Sequence, residues 1–470
     1  MSETLVRELQ RLLGGDAVLT APEDLVRYEE GWRYGKGKAL FMVRPSTTAQ
    51  VAATLSACHA AGIRVVAQGA NTGLVGASTP DGSGQMAVLS LERLNRRLDI
   101  DPINRTAKVD GGALLSAVNA ALAPHGLMFP IDLGADPSIG GMIATNTGGT
   151  RLLKYGDVQH NLLGVEVVLA DGTVLDALNQ LRKNNTGLDV KQLFVGTSGL
   201  FGVITGAVLQ VVPVPGQQAT ALVGCASGEV ALLLLRALER DLADVFTAFE
   251  VISAEAISPV FVHHEGVRNP YGAAKPPAYT ALVELSSTLP LAALDLPGLL
   301  EERLGAFLET ETGEGITDVF MGRAEDLWAI RHHVSESLRQ EGRVLAFDVS
   351  VPRSRMAAFT EAARALLREV YPFVRCCDFG HWGDGGTHLN LVWTETDSPR
   401  PAVELVPELQ ARIYDLAVKG FEGSYSAEHG VGPHNQRFYE AYTSDSVRAV
   451  NGALKKHLDP TGMLGTTRLD

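Results

Sequence analysis

The stretch VVAQGANTGLVGAS, residues 65–78, runs from a short apolar segment directly into a loop rich in glycine. A helix-like segment, residues 48–61, precedes it, and the pattern predicts a strand over residues 64–67 that opens into the loop. Successive backbone N–H groups in such a loop form a nest that binds anions, and Asn71 and Thr72 add side-chain donors. The loop therefore indicates a phosphate ligand; the alternative is an ordinary surface turn.

Two further glycine-rich stretches lie before residue 215. Small side chains dominate residues 132–158 (DLGADPSIGGMIATNTGGTRLLKYGDV), which leaves room for a flat ligand against the main chain. Residues 161–176 (NLLGVEVVLADGTVLD) then predict a hairpin with its turn at Asp171-Gly172. Residues 194–215 place glycines before a β-branched strand. Neither GxGxxG nor GxxxxGKS/T occurs, so the usual nicotinamide fingerprint and the nucleotide-triphosphatase loop are absent.

The best domain boundary is Pro213-Val214-Pro215-Gly216, because prolines stop the strand and stiffen a linker. Beyond it, strand-like runs such as ALVGCA, YTALVELSS, VLAFDVSVP and HLNLVW alternate with helix-like runs, which predicts an antiparallel sheet with helices on one face. The last part of the chain is mainly helical around SAEHGVG. We therefore expect an α+β protein with a first domain over residues 1–215, a second over 216–420 and a C-terminal helical segment over 421–470.

Composition excludes several classes of protein. The chain has 470 residues, of which 46% are hydrophobic, and this size suggests about two to four domains. A net charge of −14 argues against nucleic acid or an anionic membrane as a partner. No apolar run approaches the ~20 residues that span a bilayer, and the first residues predict an amphipathic helix without a signal-peptide core, so we expect a cytoplasmic location. The four cysteines form no CxxC pair and are expected to be buried small hydrophobes.

A histidine-containing hairpin is predicted in GHWGDGGTHLN, residues 380–390. A two-residue type I′ loop at Asp384-Gly385 would place His381 directly opposite His388, so that both imidazoles share one face and can share an ion. Because side chains alternate along a strand, Asn390 lies on that face too.

Glu428 and His429 follow in SAEHGVG. A carboxylate from Glu428 would complete a His/His/Glu set with one open position, which suits zinc best, with manganese or iron as alternatives. Paired histidines that serve only packing are the competing interpretation. The pairs His263-His264 and His332-His333 lack a partner at ligand spacing, and we interpret them as surface or helix histidines.

Together these motifs resemble one family along nearly the whole chain, the FAD-dependent oxidoreductases of the vanillyl-alcohol oxidase type, in their D-2-hydroxyacid dehydrogenase branch. The strings that carry the resemblance are, in order, RPSTTAQVA, GANTGLVGAS, DLGADPSIGGMIATNTGG, LGVEVVLADGTVLD, VGTSGLFGVIT, GHWGDGGTHLN and SAEHGVG. The resemblance implies a two-part FAD-binding domain, a substrate domain with an antiparallel sheet covered by helices, and a helical C-terminal return to the FAD domain. FAD is expected to be non-covalent, since the first loop holds neither histidine nor cysteine.

The resemblance also implies roles for particular residues. Those expected to contact FAD are Ala70, Asn71, Thr72, Gly73, Leu74, Pro137, Ser138, Gly141, Asn146, Gly148, Gly149, Gly199 and Val203. The metal ligands align with His381, His388 and Glu428.

Substrate contacts follow from the same resemblance. Arg331 and Ser335, one helical turn apart, are expected to contact the substrate carboxylate, and Asn390 to orient the substrate or the flavin edge. A surface salt bridge on an exposed helix is the alternative for Arg331. One departure matters: the family's substrate-binding lysine falls on Ala346, which puts 2-hydroxyglutarate in doubt and leaves lactate-like, bulkier or apolar 2-hydroxyacids open.

The expected reaction is oxidation of a D-2-hydroxyacid to the 2-oxoacid, with hydride passing from Cα to flavin N5. The metal would act as Lewis acid on the hydroxyl, and His429 would accept its proton. We expect an electron acceptor such as an electron-transfer flavoprotein, a quinone or a cytochrome, and a homodimer. The alternatives are an FAD-dependent oxidase of a sugar or alcohol, a non-catalytic flavoprotein subunit, and a metal-dependent hydrolase that uses the same His/His/Glu set.

Overall fold

The computed structural model describes residues 2–470. Its helices are α1 Ser2–Leu13, α2 Pro22–Glu29, α3 Thr48–Ala61, α4 Leu115–Leu122, α5 Ile139–Thr145, α6 Leu152–Tyr155, α7 Gly228–Leu242, α8 Ala254–His263, α9 Leu296–Leu308, α10 Ala324–Gln340, α11 Met356–Val370, α12 Ala402–Asp415, α13 Gln436–Tyr442 and α14 Asp445–Leu458. Its strands are β1 Val18–Leu19, β2 Ala39–Val43, β3 Arg64–Gln68, β4 Met86–Ser90, β5 Leu98–Asp101, β6 Thr106–Asp110, β7 Leu127–Met128, β8 Leu162–Val168, β9 Val174–Ala177, β10 Val203–Gln210, β11 Val212–Pro213, β12 Gln217–Cys225, β13 Phe246–Ser253, β14 Tyr279–Ser287, β15 Ile316–Gly322, β16 Arg343–Ser350, β17 Arg375–Gly380 and β18 Gly386–Trp393.

These elements form two units. The first contains the residues up to Gly149, Gly156–Val214 and Glu428–Asp470, and the second contains Thr150–Tyr155 and Pro215–Ala427. The segment Thr150–Tyr155 differs from the sequence expectation, which placed it in the first domain. Its helix α6 packs on β13 of the second unit, and the Lys154 ammonium donates to Ser286 Oγ in β14 (3.1 Å).

One sheet of the first unit carries the predicted glycine-rich loop at the end of a strand. Strands β2 and β3 flank β4 and run parallel to it, and β1 is antiparallel to β2. The predicted helix over residues 48–61 is confirmed as α3, which begins with Thr47 Oγ1 accepting the Gln50 N–H (3.2 Å) and ends at Gly62 with φ 67°. Positive φ favours glycine at such a helix end. β3 then delivers the chain to the loop.

The second sheet of the first unit is antiparallel, with strand order β5-β6-β10-β8-β9. The predicted hairpin of β8 and β9 is confirmed, and its turn has Asp171 Oδ1 accepting the Thr173 N–H (2.8 Å) with Gly172 at φ 92°. The core of this sheet is apolar and includes Phe129, Ile143, Phe194 and Leu209, all buried.

The second unit contains a seven-stranded antiparallel sheet in the order β15-β12-β14-β13-β17-β18-β16. The predicted antiparallel sheet is confirmed, but the expectation of helices on one face is wrong. Phe379 of β17 packs in the cluster that α8 and α10 form, whereas the preceding residue, Asp378, pairs with Arg364 of α11. Because neighbouring side chains point to opposite faces, α10 and α11 cover opposite faces of the sheet.

The four cysteines lie in the interior of the protein. Cys58, Cys225, Cys376 and Cys377 are free thiols and buried, and burial raises the pKa of Cys58, Cys225 and Cys377 to about 12. They therefore pack as small hydrophobes, as predicted. Within residues 2–470, none of the helices has the length and apolar character that crossing a bilayer requires.

Candidate active site

The histidine hairpin forms with a longer loop than the sequence suggested. β17 ends at Gly380 and β18 begins at Gly386, so Phe379 rather than His381 lies opposite His388. The His381 carbonyl accepts the N–H groups of Asp384 (3.0 Å) and Gly386 (3.1 Å), and Asp384 Oδ1 accepts the Gly386 N–H (2.9 Å). The predicted two-residue type I′ register is therefore wrong, because these bonds close a five-residue loop, residues 381–385.

The two histidines are nevertheless neighbours. Their ring centroids lie 5.2 Å apart in an edge-to-face arrangement, although His381 is in the loop and His388 is in β18. His381 is 9% exposed, and its Nδ1 is hydrogen-bonded to Glu250 of β13.

A group of potential metal ligands surrounds His388. Asp348 of β16 is its cross-strand partner, with Oδ1 3.9 Å from His388 Nδ1, which is too long for a hydrogen bond. The Ala427 N–H donates to the Asp348 carbonyl (3.2 Å), and Glu428 and His429 follow Ala427 directly in the chain. One ligand atom from each of Asp348, His388, Glu428 and His429 lies within 4.8 Å of the others.

This donor set fits a divalent metal. Imidazole nitrogen with carboxylate oxygen is the ligand combination of zinc, manganese and iron sites. The structure thus brings His388 and Glu428 together, adds Asp348 and His429, and places His381 beside the group rather than in it. Sequence reasoning missed Asp348; the signal was a single carboxylate in the otherwise apolar strand VLAFDVS.

A buried carboxylate that sequence reasoning also missed lies beside this group. Glu250, at the centre of β13, is 1% exposed, and its two oxygens accept hydrogen bonds from His381 Nδ1 and Arg331 Nε. Burial alone would raise the pKa of Glu250, but the neighbouring Arg331 charge and the hydrogen bonds from His381 and Arg331 lower it below its usual range. The available signal was again one acid in an apolar run, FTAFEVIS.

Arg331 is buried at 8% exposure, so the alternative of a surface salt bridge on an exposed helix is wrong. Its guanidinium carbon lies 4.6 Å from the centroid of the Phe379 ring, and that ring lies 5.4 Å from the His388 ring. Of the three side-chain nitrogens of Arg331, only Nε has a hydrogen-bond partner among residues 2–470, and that partner is Glu250. The two Nη groups therefore stay available to a carboxylate.

The other two expected substrate contacts differ in exposure. Ser335 lies on α10, is exposed, and its hydroxyl makes no hydrogen bond within the described part of the chain. Asn390 is buried, donates from Nδ2 to the His388 carbonyl (3.0 Å), and lies opposite Ala346 of β16. Asn390 therefore shares the His388 face of the sheet, as expected from alternation.

The glycine-rich loop after β3 presents free backbone donors. Within residues 2–470, the N–H groups of Ala70–Gly76 donate to no protein acceptor, and a Cβ placed on Gly73 would meet no atom within 4 Å. The Asn71 side chain, which was expected to donate to the ligand, instead donates to the Glu30 carbonyl (2.7 Å) and accepts from Ser78 Oγ (2.8 Å). Asn71 thus shapes the loop, and backbone amides are left to bind an anion.

The second glycine-rich stretch builds a tight main-chain turn around α5. Ser138 Oγ accepts the Gly141 N–H (3.3 Å) at the start of the helix, and Asn146 ends it at φ 53°, with its side chain bonded to Asp157 (2.9 Å) and to the Gln159 N–H (3.0 Å). A Cβ on Gly149, where φ is 90°, would lie 2.5 Å from the Asp132 carbonyl oxygen.

The remaining residues expected to contact FAD lie in the same unit. Pro137 accepts the Leu115 N–H at its carbonyl (3.0 Å), Gly199 has φ 76°, Gly148 is buried, and Val203 begins β10 inside the apolar core.

The other histidine pairs have partners elsewhere. His263 Nε2 lies 2.7 Å from Glu341, and the rings of His264 and His333 lie 4.3 Å apart. His332 stacks against Trp328 at 5.6 Å. None of them belongs to the ligand group around His388, in agreement with their interpretation as surface or helix histidines.

Comparison with known families matches both halves of the chain. Residues 39–178 match the FAD binding domain model, and residues 214–468 match the model of the FAD linked oxidases, C-terminal domain. The second match alone covers more than half of the chain.

Individual relatives align over nearly the full length. D-2-hydroxyglutarate dehydrogenase of Bos taurus is 35% identical, over 100% of this chain and 84% of the relative. D-2-hydroxyglutarate–pyruvate transhydrogenase of Saccharomyces cerevisiae is 30% identical, over 96% of this chain and 91% of the relative. The bovine relative is named as a mitochondrial protein, whereas the cytoplasmic location expected from this sequence stays a prediction.

Solved structures share the fold at low sequence identity. p-Cresol methylhydroxylase superposes with a TM-score of 0.72 at 16% identity, over 98% of this chain and 95% of that one. 4-Ethylphenol oxidase of Gulosibacter chungangensis superposes with a TM-score of 0.73 at 19% identity and the same coverage. The α+β fold expected from the sequence, with its antiparallel substrate-domain sheet and C-terminal helices, is thus confirmed.

Proposed function

The chain belongs to the FAD-linked oxidases of the vanillyl-alcohol oxidase type, and from that premise we propose that it oxidises a D-2-hydroxyacid to the 2-oxoacid. Relatives that are 30–35% identical along the chain carry D-2-hydroxyglutarate in their names, which supports an oxidoreductase that acts on a CH–OH group next to a carboxylate.

One observation carries the proposal. The Phe379 ring lies 4.6 Å from the Arg331 guanidinium carbon and 5.4 Å from the His388 imidazole, so a carboxylate binder and a metal-binding group are both close to one aromatic side chain. A 2-hydroxyacid carries its carboxylate and its hydroxyl on adjacent carbons, and it needs these two kinds of partner side by side.

FAD fits the residues of the first unit. When bound, FAD supplies the two-electron acceptor for oxidation of the substrate carbon. The free N–H groups of Ala70–Gly76 suit its pyrophosphate, since unpaired amides in a loop bind anions without a side-chain charge. The glycine-rich turn around α5 and Gly149 is the proposed contact for the remaining parts of the cofactor, since it offers main chain where larger residues would offer side chains.

His381, His388 and Glu428 are the proposed ligands of a divalent metal, zinc first and manganese or iron as alternatives. When bound, such an ion acts as a Lewis acid that lowers the pKa of a hydroxyl group. Hydrogen bonding of His381 Nδ1 to Glu250 leaves Nε2 as the atom of that ring that can ligate. Asp348 borders the group and is a further carboxylate donor.

Residues of the chain itself bind the substrate carboxylate, accept the hydroxyl proton and orient the substrate. Arg331 binds the substrate carboxylate with its two Nη groups, which orients the Cα–H bond. His429 accepts the hydroxyl proton on its ring nitrogen, which belongs to the same group of side chains as His388 and Glu428. Asn390 orients the substrate from the next position along the sheet face, and Ser335 extends the binding surface on α10.

Ala346 directs the choice among D-2-hydroxyacids. It lies opposite Asn390 on the face that carries Asp348 and His388, where a methyl group offers no charge to a second carboxylate. We therefore propose that lactate-like or apolar D-2-hydroxyacids react faster than D-2-hydroxyglutarate.

Anaerobic mixing of the yellow protein with a panel of acids tests the proposal. D-lactate, longer apolar D-2-hydroxyacids and D-2-hydroxyglutarate should bleach the oxidised-flavin absorbance, the first two classes at lower concentrations, and the L-acids should not. Purified protein that is colourless, or yellow protein that no D-2-hydroxyacid bleaches, would overturn the proposed function.

A further inference from the structure

A single buried carboxylate joins two residues that the proposed reaction needs. Glu250 accepts the His381 Nδ1 hydrogen bond at one oxygen and the Arg331 Nε hydrogen bond at the other. The first partner comes from the hairpin loop and the second from α10, so β13 connects two elements that are distant in sequence.

Each hydrogen bond fixes one side chain in the tautomer or the orientation that its proposed role requires. With its proton on Nδ1 and directed to Glu250, His381 presents the lone pair of Nε2, and its ring cannot rotate without losing the bond. With Nε bound to Glu250 and the guanidinium carbon 4.6 Å from the centre of the Phe379 ring, Arg331 is held in one orientation, and its Nη groups have no hydrogen-bond partner among residues 2–470.

We propose that Glu250 is a positioning residue that fixes the metal ligand His381 and the carboxylate binder Arg331 relative to each other. This inference rests on the proposed function. β13 would thus keep constant the distance between the residue that would hold the metal, His381, and the residue that would bind the substrate carboxylate, Arg331.

A second buried carboxylate on the same sheet face provides a matched control. Glu284 of β14 lies opposite Ala248, two residues from Glu250, and is fully buried. It accepts the Trp328 Nε1 hydrogen bond (2.7 Å), and its Oε1 lies 3.4 Å from Arg151 Nε. Loss of its charge therefore disturbs the interior of the same sheet while the His381–Glu250 and Arg331–Glu250 hydrogen bonds keep both of their partners.

The substitution Glu250→Gln separates positioning from mere burial. A carboxylate accepts from both donors, whereas a glutamine has one carbonyl oxygen, and its NH2 group would face the second donor. Either His381 must take the other tautomer, with its proton on Nε2, or one of the two side chains must move. Because loss of a hydrogen-bond partner behind a metal-binding histidine lowers metal affinity, we expect the zinc dissociation constant to rise about 10–100-fold.

The experiment compares the FAD-loaded wild type, Glu250→Gln and Glu284→Gln by competition for zinc with a chromogenic chelator. Thermal unfolding followed by circular dichroism reports whether each variant folds. At saturating zinc, the concentrations of D-lactate and D-2-hydroxyglutarate that half-maximally bleach the flavin report on Arg331. Weaker zinc binding together with higher half-bleaching concentrations in Glu250→Gln, and neither effect in Glu284→Gln, is the expected result.

Two results would overturn the inference. One is zinc affinity in Glu250→Gln equal to that of the wild type; the other is an equal loss in both variants, which would mean a structural effect only. If Glu250→Gln does not fold, Glu250→Asp decides, because its carboxylate keeps two acceptors but is one methylene too short to reach both partners. Unchanged zinc affinity in that variant would also overturn it. A wild type that binds no zinc would instead refute the metal part of the proposed function.

Discussion

His429 and Arg331 show how single residues divide the proposed chemistry. His429 offers a ring nitrogen to the group that contains His388, whereas Arg331 uses only its Nε to hydrogen-bond Glu250 and keeps its Nη groups for a ligand. The first residue is expected to act on a proton and the second on a carboxylate, so their substitution should produce different kinetic defects.

Replacement of His429 by asparagine should leave folded, yellow protein with little turnover. The amide is similar in size but is not a base, and loss of a general base lowers the rate about 10²–10⁴-fold. Anaerobic stopped-flow measurement of flavin bleaching gives the rate, and the absorbance spectrum shows whether FAD is retained. Bleaching as fast as in the wild type would exclude His429 as the base.

Replacement of Arg331 by lysine should raise KM more than it lowers kcat. Lysine keeps the charge but loses the planar fork and the Nε bond to Glu250, and hydrogen bonds to a charged group contribute about 1.5–3 kcal/mol each. For every acid in the panel, kcat/KM should fall by the factor that corresponds to this loss of binding free energy. A variant with unchanged KM would show that the carboxylate binds elsewhere.

Individual elements show how far the sequence could predict the molecule. α3 and the β8–β9 hairpin were predicted within a residue or two, because a cap, a glycine end and an Asp-Gly turn act locally. The register of the histidine hairpin was not, since the His381 carbonyl and the Asp384 side chain close its loop through bonds that the Asp-Gly pair does not specify.

β13 could not be recognised from alternation, because all eight of its residues are buried and the strand has no polar side. Glu250 was therefore missed together with its strand. Asp348 was missed for a different reason: its strand was predicted, but only the cross-strand register shows that it lies opposite His388. The candidate site is formed by contacts between residues that are distant in sequence. The spacing of residues within one segment cannot predict such contacts.

The C-terminal turn after α14 allows a prediction about stability. Asp459 is 2% exposed and accepts the N–H groups of Met463 (2.9 Å) and Leu464 (2.8 Å), as well as the Lys455 ammonium (2.6 Å). These residues lie beside Val65 of β3, whose N–H donates to the Met463 carbonyl (2.9 Å). Asp459 thus holds the chain end against the strand that leads into the glycine-rich loop.

Asp459→Asn should lower the free energy of unfolding at pH 7 by about 2 kcal/mol, the loss of charged hydrogen bonds. Burial would raise the pKa of Asp459, but the hydrogen bonds from Lys455, Leu464 and Met463 lower it below its usual range. The stabilisation is thus complete above the unfolded-state pKa of about 4 and is lost as pH falls through the folded-state value. Urea unfolding of both proteins should show the difference at pH 7 and a smaller difference in acid. A pH-independent difference would mean that ionisation of Asp459 is not its source.

Across the whole molecule, the fold tolerates changes in most side chains, whereas the proposed chemistry depends on a few particular residues. Structures at 16–19% identity superpose with TM-scores of 0.72–0.73, so the architecture persists when most side chains change. The proposed cofactor contacts in Ala70–Gly76 are backbone N–H groups, whereas the proposed metal contacts are side chains, and the two sets have no residue in common. Binding of the two groups should therefore be separable.

Treatment of the purified protein with a strong chelator should abolish turnover but leave the yellow colour. The proposed imidazole and carboxylate ligands would lose their ion, while the loop amides that we propose to hold the flavin pyrophosphate have no metal-dependent part. Added zinc or manganese should restore activity, and the His388→Ala variant, which lacks a central ligand, should not recover. The flavin spectrum and the anaerobic bleaching rate are measured on the same sample before chelation, after chelation and after metal addition. Full activity in the presence of the chelator, with metal analysis showing none bound, would refute the Lewis-acid role, and loss of FAD on chelation would refute the separation of the two sites.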